Sequence, residues 1–250
     1  MPSASLTLLT RANEIGSNCY LLELDVVRII IDAGMHPKQD GEAALPRYED
    51  LPHDSIDAIL ISHAHLDHVG TLPVLMDDQP SARIYLTPPT AALADALLHN
   101  SVNVMTAQRE ELGVREYPFY THRGLDELIP RFETRDYERS FDVDEAGRVT
   151  ATFYDAGHIL GSAGILIEGA GKRIFYTGDI HFEDHALIKG ARFPDLDGLD
   201  ALIVETTRGD SERRPGYTRV DEEDRFISSI SRCLSRGGSV LIPVFAMGKT

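Results

Sequence analysis

An α/β fold is predicted, on two observations. Short apolar runs rich in β-branched residues recur along the chain, among them residues 26–31, 56–62, 150–155 and 239–245, and these read as strands. Between them lie segments with helical apolar spacing: Leu93, Leu97 and Leu98 within residues 90–100, and Phe226, Ile227, Ile230 and Leu234 within residues 219–236. Strands with interleaved helices define the α/β class.

The composition bounds what such a fold can do. A chain of 250 residues, 42% hydrophobic and 26% charged, suits a soluble protein with one large domain or two small ones. Its 24 basic and 40 acidic residues give a formal charge of -16, which argues against a general electrostatic grip on nucleic acid. A local basic groove, or phosphate contact through a metal, stays open. Cys19 and Cys233 form no ligand-spaced pair, and Cys19 sits in a strand-like run where a buried thiol is expected. A reducing compartment fits this cysteine usage. The N-terminus has no basic segment followed by an apolar one, and no run approaches the ~20 apolar residues of a membrane span, so a cytoplasmic location is expected.

In chain order, residues 5–10, 17–24 and 26–31 are expected strands, the first two joined by a polar turn with Asn13 and Gly16. The third ends at Asp32-Ala33-Gly34, where Asp32 becomes a candidate carboxylate for orienting a ligand imidazole. Residues 35–55 form a long irregular stretch with Pro37, Gly41, Pro46 and Pro52, and its loop histidines His36 and His53 are expected to be solvated. A helix is expected over 70–76, a strand over 83–86 and a helix over 90–100 with weaker helical character to 112. Residues 113–148 read as a polar insertion with one helix near 125–132. The strand 150–155 leads to Gly157-His158, whose glycine permits a tight turn. Residues 164–168 and 173–177 make a hairpin that stops at Gly178-Asp179. A strand over 200–204 runs into Glu205-Thr206-Thr207, and the helix 219–236 gives way to a last strand over 239–245. The closing Gly248-Lys249-Thr250 suggests a phosphate loop, but Pro243 stands where that motif needs a glycine, so an ATP site is rejected.

The chemistry concentrates in His63-Ala64-His65-Leu66-Asp67-His68, directly after an expected strand. His63 and His65 can converge on one cation while Asp67 and His68 turn toward a second. Neutral imidazole and carboxylate are ligands that a borderline divalent ion such as zinc prefers.

Asp32, His63-x-His65-x-Asp67-His68, His158 and Asp179, each at a strand end and in this order, resemble the metallo-β-lactamase superfamily. The resemblance implies a four-layer αβ/βα sandwich with a dinuclear zinc site at one edge of its sheets. It implies one zinc on His63, His65 and His158, a second on Asp67 and His68, and Asp179 bridging both. Asp32-Ala33-Gly34-Met35-His36-Pro37, Gly157-His158-Ile159-Leu160-Gly161-Ser162-Ala163, Val204-Glu205-Thr206-Thr207 and Ile242-Pro243-Val244-Phe245-Ala246-Met247-Gly248 are similar to the β-CASP branch of RNA-processing nucleases. On this resemblance residues 1–208 are the metallo-β-lactamase-like domain and 209–250 the beginning of an inserted β-CASP-like domain. The late histidines of that branch have no counterpart here, so a catalytically incomplete part of a longer protein is expected.

The implied activity is phosphodiester hydrolysis of RNA, or of single-stranded DNA, with Asp67, Asp32 and Glu205 as the candidate catalytic carboxylates. Two zinc ions would bring the pKa of a shared water from near 16 toward ~7. Asp67 could take its proton, and Glu205 would support the absent proton donor. Two rival readings stand beside this one: a thioester or lactone hydrolase of the same fold, and a non-catalytic metal-stabilised subunit that binds RNA or a partner. Endo- or exonuclease direction and homo-oligomerisation are left open, and no membrane partner is expected.

Overall fold

The structure, a computed structural model, describes residues 4–11, 16–184, 187–207 and 209–244. The chain divides into two compact units, Met1–Glu205 and Thr206–Thr250.

The first unit holds two β-sheets. One has six strands in sequence order: β1 (Ala4–Leu8), β2 (Tyr20–Leu24), β3 (Val27–Ile31), β4 (Ala58–Leu60), β5 (Arg83–Leu86) and β6 (Phe132–Thr134). The first two pairings are antiparallel and the remaining three parallel. The other sheet has five strands, β7 (Ser140–Asp142), β8 (Val149–Asp155), β9 (Ala163–Gly169), β10 (Lys172–Tyr176) and β11 (Ala201–Ile203), with β11 parallel to β10 and the others antiparallel. Alternate residues of each sheet meet in one core, where Ile29, Ile31, Leu60 and Tyr85 join Phe153, Ile165, Ile167 and Tyr176. Ile30, Ile59 and Ile84 lie on the opposite face of the first sheet and are equally buried. Helices α1 (Leu66–Val69), α2 (Leu72–Asp78), α3 (Pro88–Leu112) and α4 (His122–Leu128) connect the parallel strands and bury Val69, Leu75, Leu98 and Leu125. This is the mixed α/β architecture that the strand and helix pattern predicts.

Several expected boundaries move. The expected helix over 70–76 is two short ones, and the first begins at Leu66, which places Asp67 and His68 on a helical turn. Helix α3 starts at Pro88, where proline is tolerated because the first turn lacks N–H partners, and runs all 25 residues to Leu112. The stretch 113–148 is more than an insertion over the core. Besides α4 it supplies β6 and β7, three-residue strands that each extend a sheet and are too short to show a period. His36 is buried, contrary to expectation: its N–H donates to Ala44 O and its Nδ1 accepts from Lys38 N–H, which fix it beside the 3-10 turn Gly41–Ala44. His53 is exposed as expected and pairs with Asp78. Cys19 is buried and, like Cys233, unpaired.

In the second unit α5 (Arg219–Leu234) is capped by the Thr218 hydroxyl, which accepts from Asp221 N–H. Residues 239–244 do not form the expected strand. A β-branched run becomes a strand where a neighbour meets its backbone; here the run stays open to solvent, Leu241 at 93% exposure. The turn around Asn13, together with Phe245 and Gly248-Lys249-Thr250, lies outside the described residues.

Candidate metal centre

Four segments carry the site. After β3, Asp32 adopts a left-handed backbone (φ 59°) that turns the chain inward. Residues 33–35 then run against α1: Ala33 N–H donates to His68 O, Met35 N–H to Leu66 O, and Asn18 N–H to Asp67 O. Gly34 is required there, because a Cβ would lie 1.7 Å from Asp67 O. The second segment leaves β4 as Ile61-Ser62-His63 and enters α1 with His65 at its N-cap. Ser62 O accepts from Ala163 N–H, a 2.8 Å bond that ties this sheet to the other at the site. The third follows β8, where Gly157 (φ 68°) makes the turn into His158; the fourth follows β10, through Gly178 (φ 56°) to Asp179.

These turns bring His63, His65, His158 and Asp179 together, with one potential ligand atom from each lying within 4.8 Å of the others. His65 Nδ1 is 3.1 Å from His63 Nε2 and 3.2 Å from His158 Nε2. Ligands around a tetrahedral ion at ~2.0–2.1 Å stand about 3.4 Å apart, so the donor set and its spacing fit a zinc-like ion. Asp179 divides its oxygens: Oδ2 is 3.9 Å from His63 Nε2 and 3.5 Å from His158 Nε2, whereas Oδ1 is 3.3 Å from His68 Nε2. The Asp67 carboxylate stands 3.8 Å from the same His68 nitrogen, and both residues adjoin the four-residue group.

Beneath the histidines lies a buried network. Asp32 accepts from Ser62 N–H, Ser62 Oγ–H, Tyr176 O–H and His68 Nδ1, each at 2.7 Å. With its proton committed to Asp32, Ser62 Oγ accepts from His63 Nδ1 at 3.0 Å, which leaves the His63 Nε2 lone pair facing the centre. Asp32 is fully buried, and its carboxylate touches His68 directly and His63 through Ser62. Asn18 Nδ2 reaches His68 Nε2 at 2.9 Å and donates to Asp67 O. Glu205 Oε1 accepts from Ile180 N–H at 2.9 Å, one residue beyond Asp179. Ser62, Tyr176 and Asn18 escaped the sequence reading; only Ser62, adjacent to His63, stood where a partner could have been sought.

The electrostatics divide the histidines. Burial pushes His63 well below its ordinary pKa, and the charges of His68, His65 and His158 add to it. Burial is also the main cause for His158, pushed down to about 4 although Asp179 opposes. Both are neutral near pH 7, the form that ligates metal. His68 goes the other way: burial resists its charge, but Asp32 and Asp179 outweigh it and hold the pKa well above normal. Asp179 titrates below the ordinary carboxylate range, burial being overcome by the hydrogen bond from His68 and the neighbouring imidazoles.

The comparisons with known proteins agree with this geometry. The sequence profile of the Metallo-beta-lactamase superfamily matches residues 12–207. Endoribonuclease YSH1 of Gibberella zeae is 37% identical over 238 residues, 95% of this chain and 28% of that protein. Endoribonuclease YSH1 of Saccharomyces cerevisiae is 34% identical over 241 residues, again 95% of this chain and 30% of that protein. The chain thus spans less than a third of the length of these relatives. Among solved structures, a protein of unknown function from Enterococcus faecalis V583 shares the fold, with a TM-score of 0.59 over 94% of this chain and 58% of that one at 17% identity. With its strand-end histidines and aspartates in place and the profile matched from before β2 to beyond β11, the chain belongs to the metallo-beta-lactamase superfamily.

Proposed function

We propose that this chain carries the metal-binding part of a zinc-dependent ribonuclease that hydrolyses phosphodiester bonds within RNA. The observation that carries the reading is the convergence of His63, His65, His158 and Asp179 in a chain 37% identical to a protein named as an endoribonuclease. His63, His65 and His158 would hold one ion, and Asp67 and His68 a second. Asp179 would serve both, a role supported by its divided oxygens. When bound, such ions polarise phosphate oxygens and lower the pKa of water.

The chain's own groups do the rest. Asp67, partly exposed, accepts a proton at its carboxylate. Asp32 holds the His68 ring through Nδ1, and Ser62 fixes the tautomer of His63. Glu205 anchors the backbone that follows Asp179. Cations bound in the site would supply the positive charge for phosphate that a chain with a formal charge of -16 otherwise lacks. Residues 1–208 form the metallo-β-lactamase-like domain on this reading, and 209–250 open a β-CASP-like one. The two unpaired thiols suit a reducing compartment such as the cytoplasm. Among the described residues no helix is long and apolar enough to cross a membrane.

The test is incubation of the zinc-loaded protein of which this chain is the metal-binding part with end-labelled RNA, single-stranded DNA and a model thioester. Internal cleavage of RNA, abolished by His65→Ala and by Asp67→Ala, is expected. Intact RNA alongside a hydrolysed thioester would overturn the reading in favour of a small-molecule hydrolase.

A further inference from the structure

We propose that Phe182 is a stacking platform for a nucleobase beside the scissile phosphate, an inference that rests on the ribonuclease reading above. Phe182 lies three residues after Asp179, and 70% of it is exposed. Exposed aromatic rings are usually free to swing; this one is braced. Its ring packs edge-on against Phe193 at 5.7 Å, and Phe193 packs edge-on against Phe175 at 5.4 Å. Phe175 is fully buried, so the ladder of rings runs from the core to the surface.

The backbone is fixed as firmly. Ile180 N–H donates to Glu205 Oε1, His181 N–H to Ala156 O, and Ala191 N–H to His181 O, at 2.8–2.9 Å. A Cβ at Gly157 would lie 2.5 Å from both His181 O and Ala191 N, so this segment presses directly on the turn that carries His158. Phe182 therefore follows the point where the Asp179 and His158 segments touch. Leu160, also exposed, adds apolar surface to the His158 loop. That loop is pinned by the Thr87 and Thr90 hydroxyls, which donate to Gly161 O at 2.7 and 2.8 Å.

Charge explains why such a platform is needed. Proteins ordinarily hold nucleic acid through lysine and arginine contacts to phosphate, and a chain with a formal charge of -16 is poorly equipped for that. A base presents an uncharged π-face to a rigid ring, and this contact adds on the order of ten-fold in affinity per base, whatever the sequence.

The sequence contains no tryptophan, so Phe182→Trp introduces a sole indole reporter. Its emission is measured while the zinc-loaded chain is titrated with a 2′-O-methyl RNA octamer that resists cleavage. Binding is followed in parallel by the anisotropy of a labelled octamer. Quenching with the same midpoint as the anisotropy is expected, and none with an abasic octamer. Phe182→Ala should weaken octamer binding on the order of ten-fold, leave abasic binding unchanged and be rescued by Phe182→Tyr. An unquenched indole at saturating RNA, or Phe182→Ala binding as tightly as the parent, overturns the platform alone. No RNA binding by the parent chain overturns the ribonuclease reading and the platform with it.

Discussion

Asp32 shows what a single side chain can organise. Its four acceptor contacts gather three residues from two other segments, and the ion pair with His68 is sealed from solvent. Removing one partner of a buried pair costs about 3–5 kcal/mol, because the other charge is left without its partner. Loss of an outer-shell carboxylate also typically weakens metal binding ten- to a hundred-fold. Asp32→Asn should therefore lower unfolding free energy in urea by a few kcal/mol and raise the zinc dissociation constant by at least ten-fold, read in a competitive chelator titration. An unchanged zinc affinity would refute the positioning role. The sequence placed this residue at a strand end, and its direction came only with the left-handed turn.

At the scale of elements, short connections do the positioning. The turn between β7 and β8 is held by Asp144, whose carboxylate accepts from the N–H groups of Ala146, Arg148 and Val149 and pairs with the Arg148 guanidinium at 2.8 Å. Burial alone would raise its pKa. The Arg148 hydrogen bond and the backbone N–H groups win and hold it below the ordinary carboxylate range. A depressed folded pKa means that the stabilisation is fully present above the unfolded value, near 3.9, and is lost as pH falls through the folded one. Parent and Asp144→Asn should thus differ in stability at pH 6, and the gap should shrink steadily below about pH 4. Urea denaturation across pH 6 to 3 measures it; a gap independent of pH would contradict the assignment.

For the whole molecule, the centre joins the two sheets, so anything bound there stabilises the sandwich. One backbone bond, from Ala163 N–H to Ser62 O, already links the two sheets there, and the candidate ligands come from segments following β4, β8 and β10. A ligand at a hundred times its dissociation constant adds about 2.7 kcal/mol, which raises Tm by roughly 5–10 °C for a domain of this size. Zinc should produce this rise in the parent chain. It should produce none in the His63→Ala/His65→Ala double variant, and EDTA should reverse it. Thermal melts followed by circular dichroism decide the point, and an equal rise in the variant would place the ion elsewhere.

The sequence by itself determined the α/β class, the strand ends that bear chemistry and the identities of His63, His65, His158 and Asp179. Those features are local: a strand's period, a glycine's freedom to turn and an imidazole's affinity for metal need no knowledge of neighbours. The tertiary structure decided what depends on distant segments meeting. It buried His36, added β6 and β7 as sheet edges and left residues 239–244 without a strand. It also drew Asn18, Ser62 and Tyr176 around His68 and Asp32, residues up to 144 positions apart along the chain. A hydrogen bond between such residues leaves no periodicity to read, because its geometry exists only once both sheets have closed.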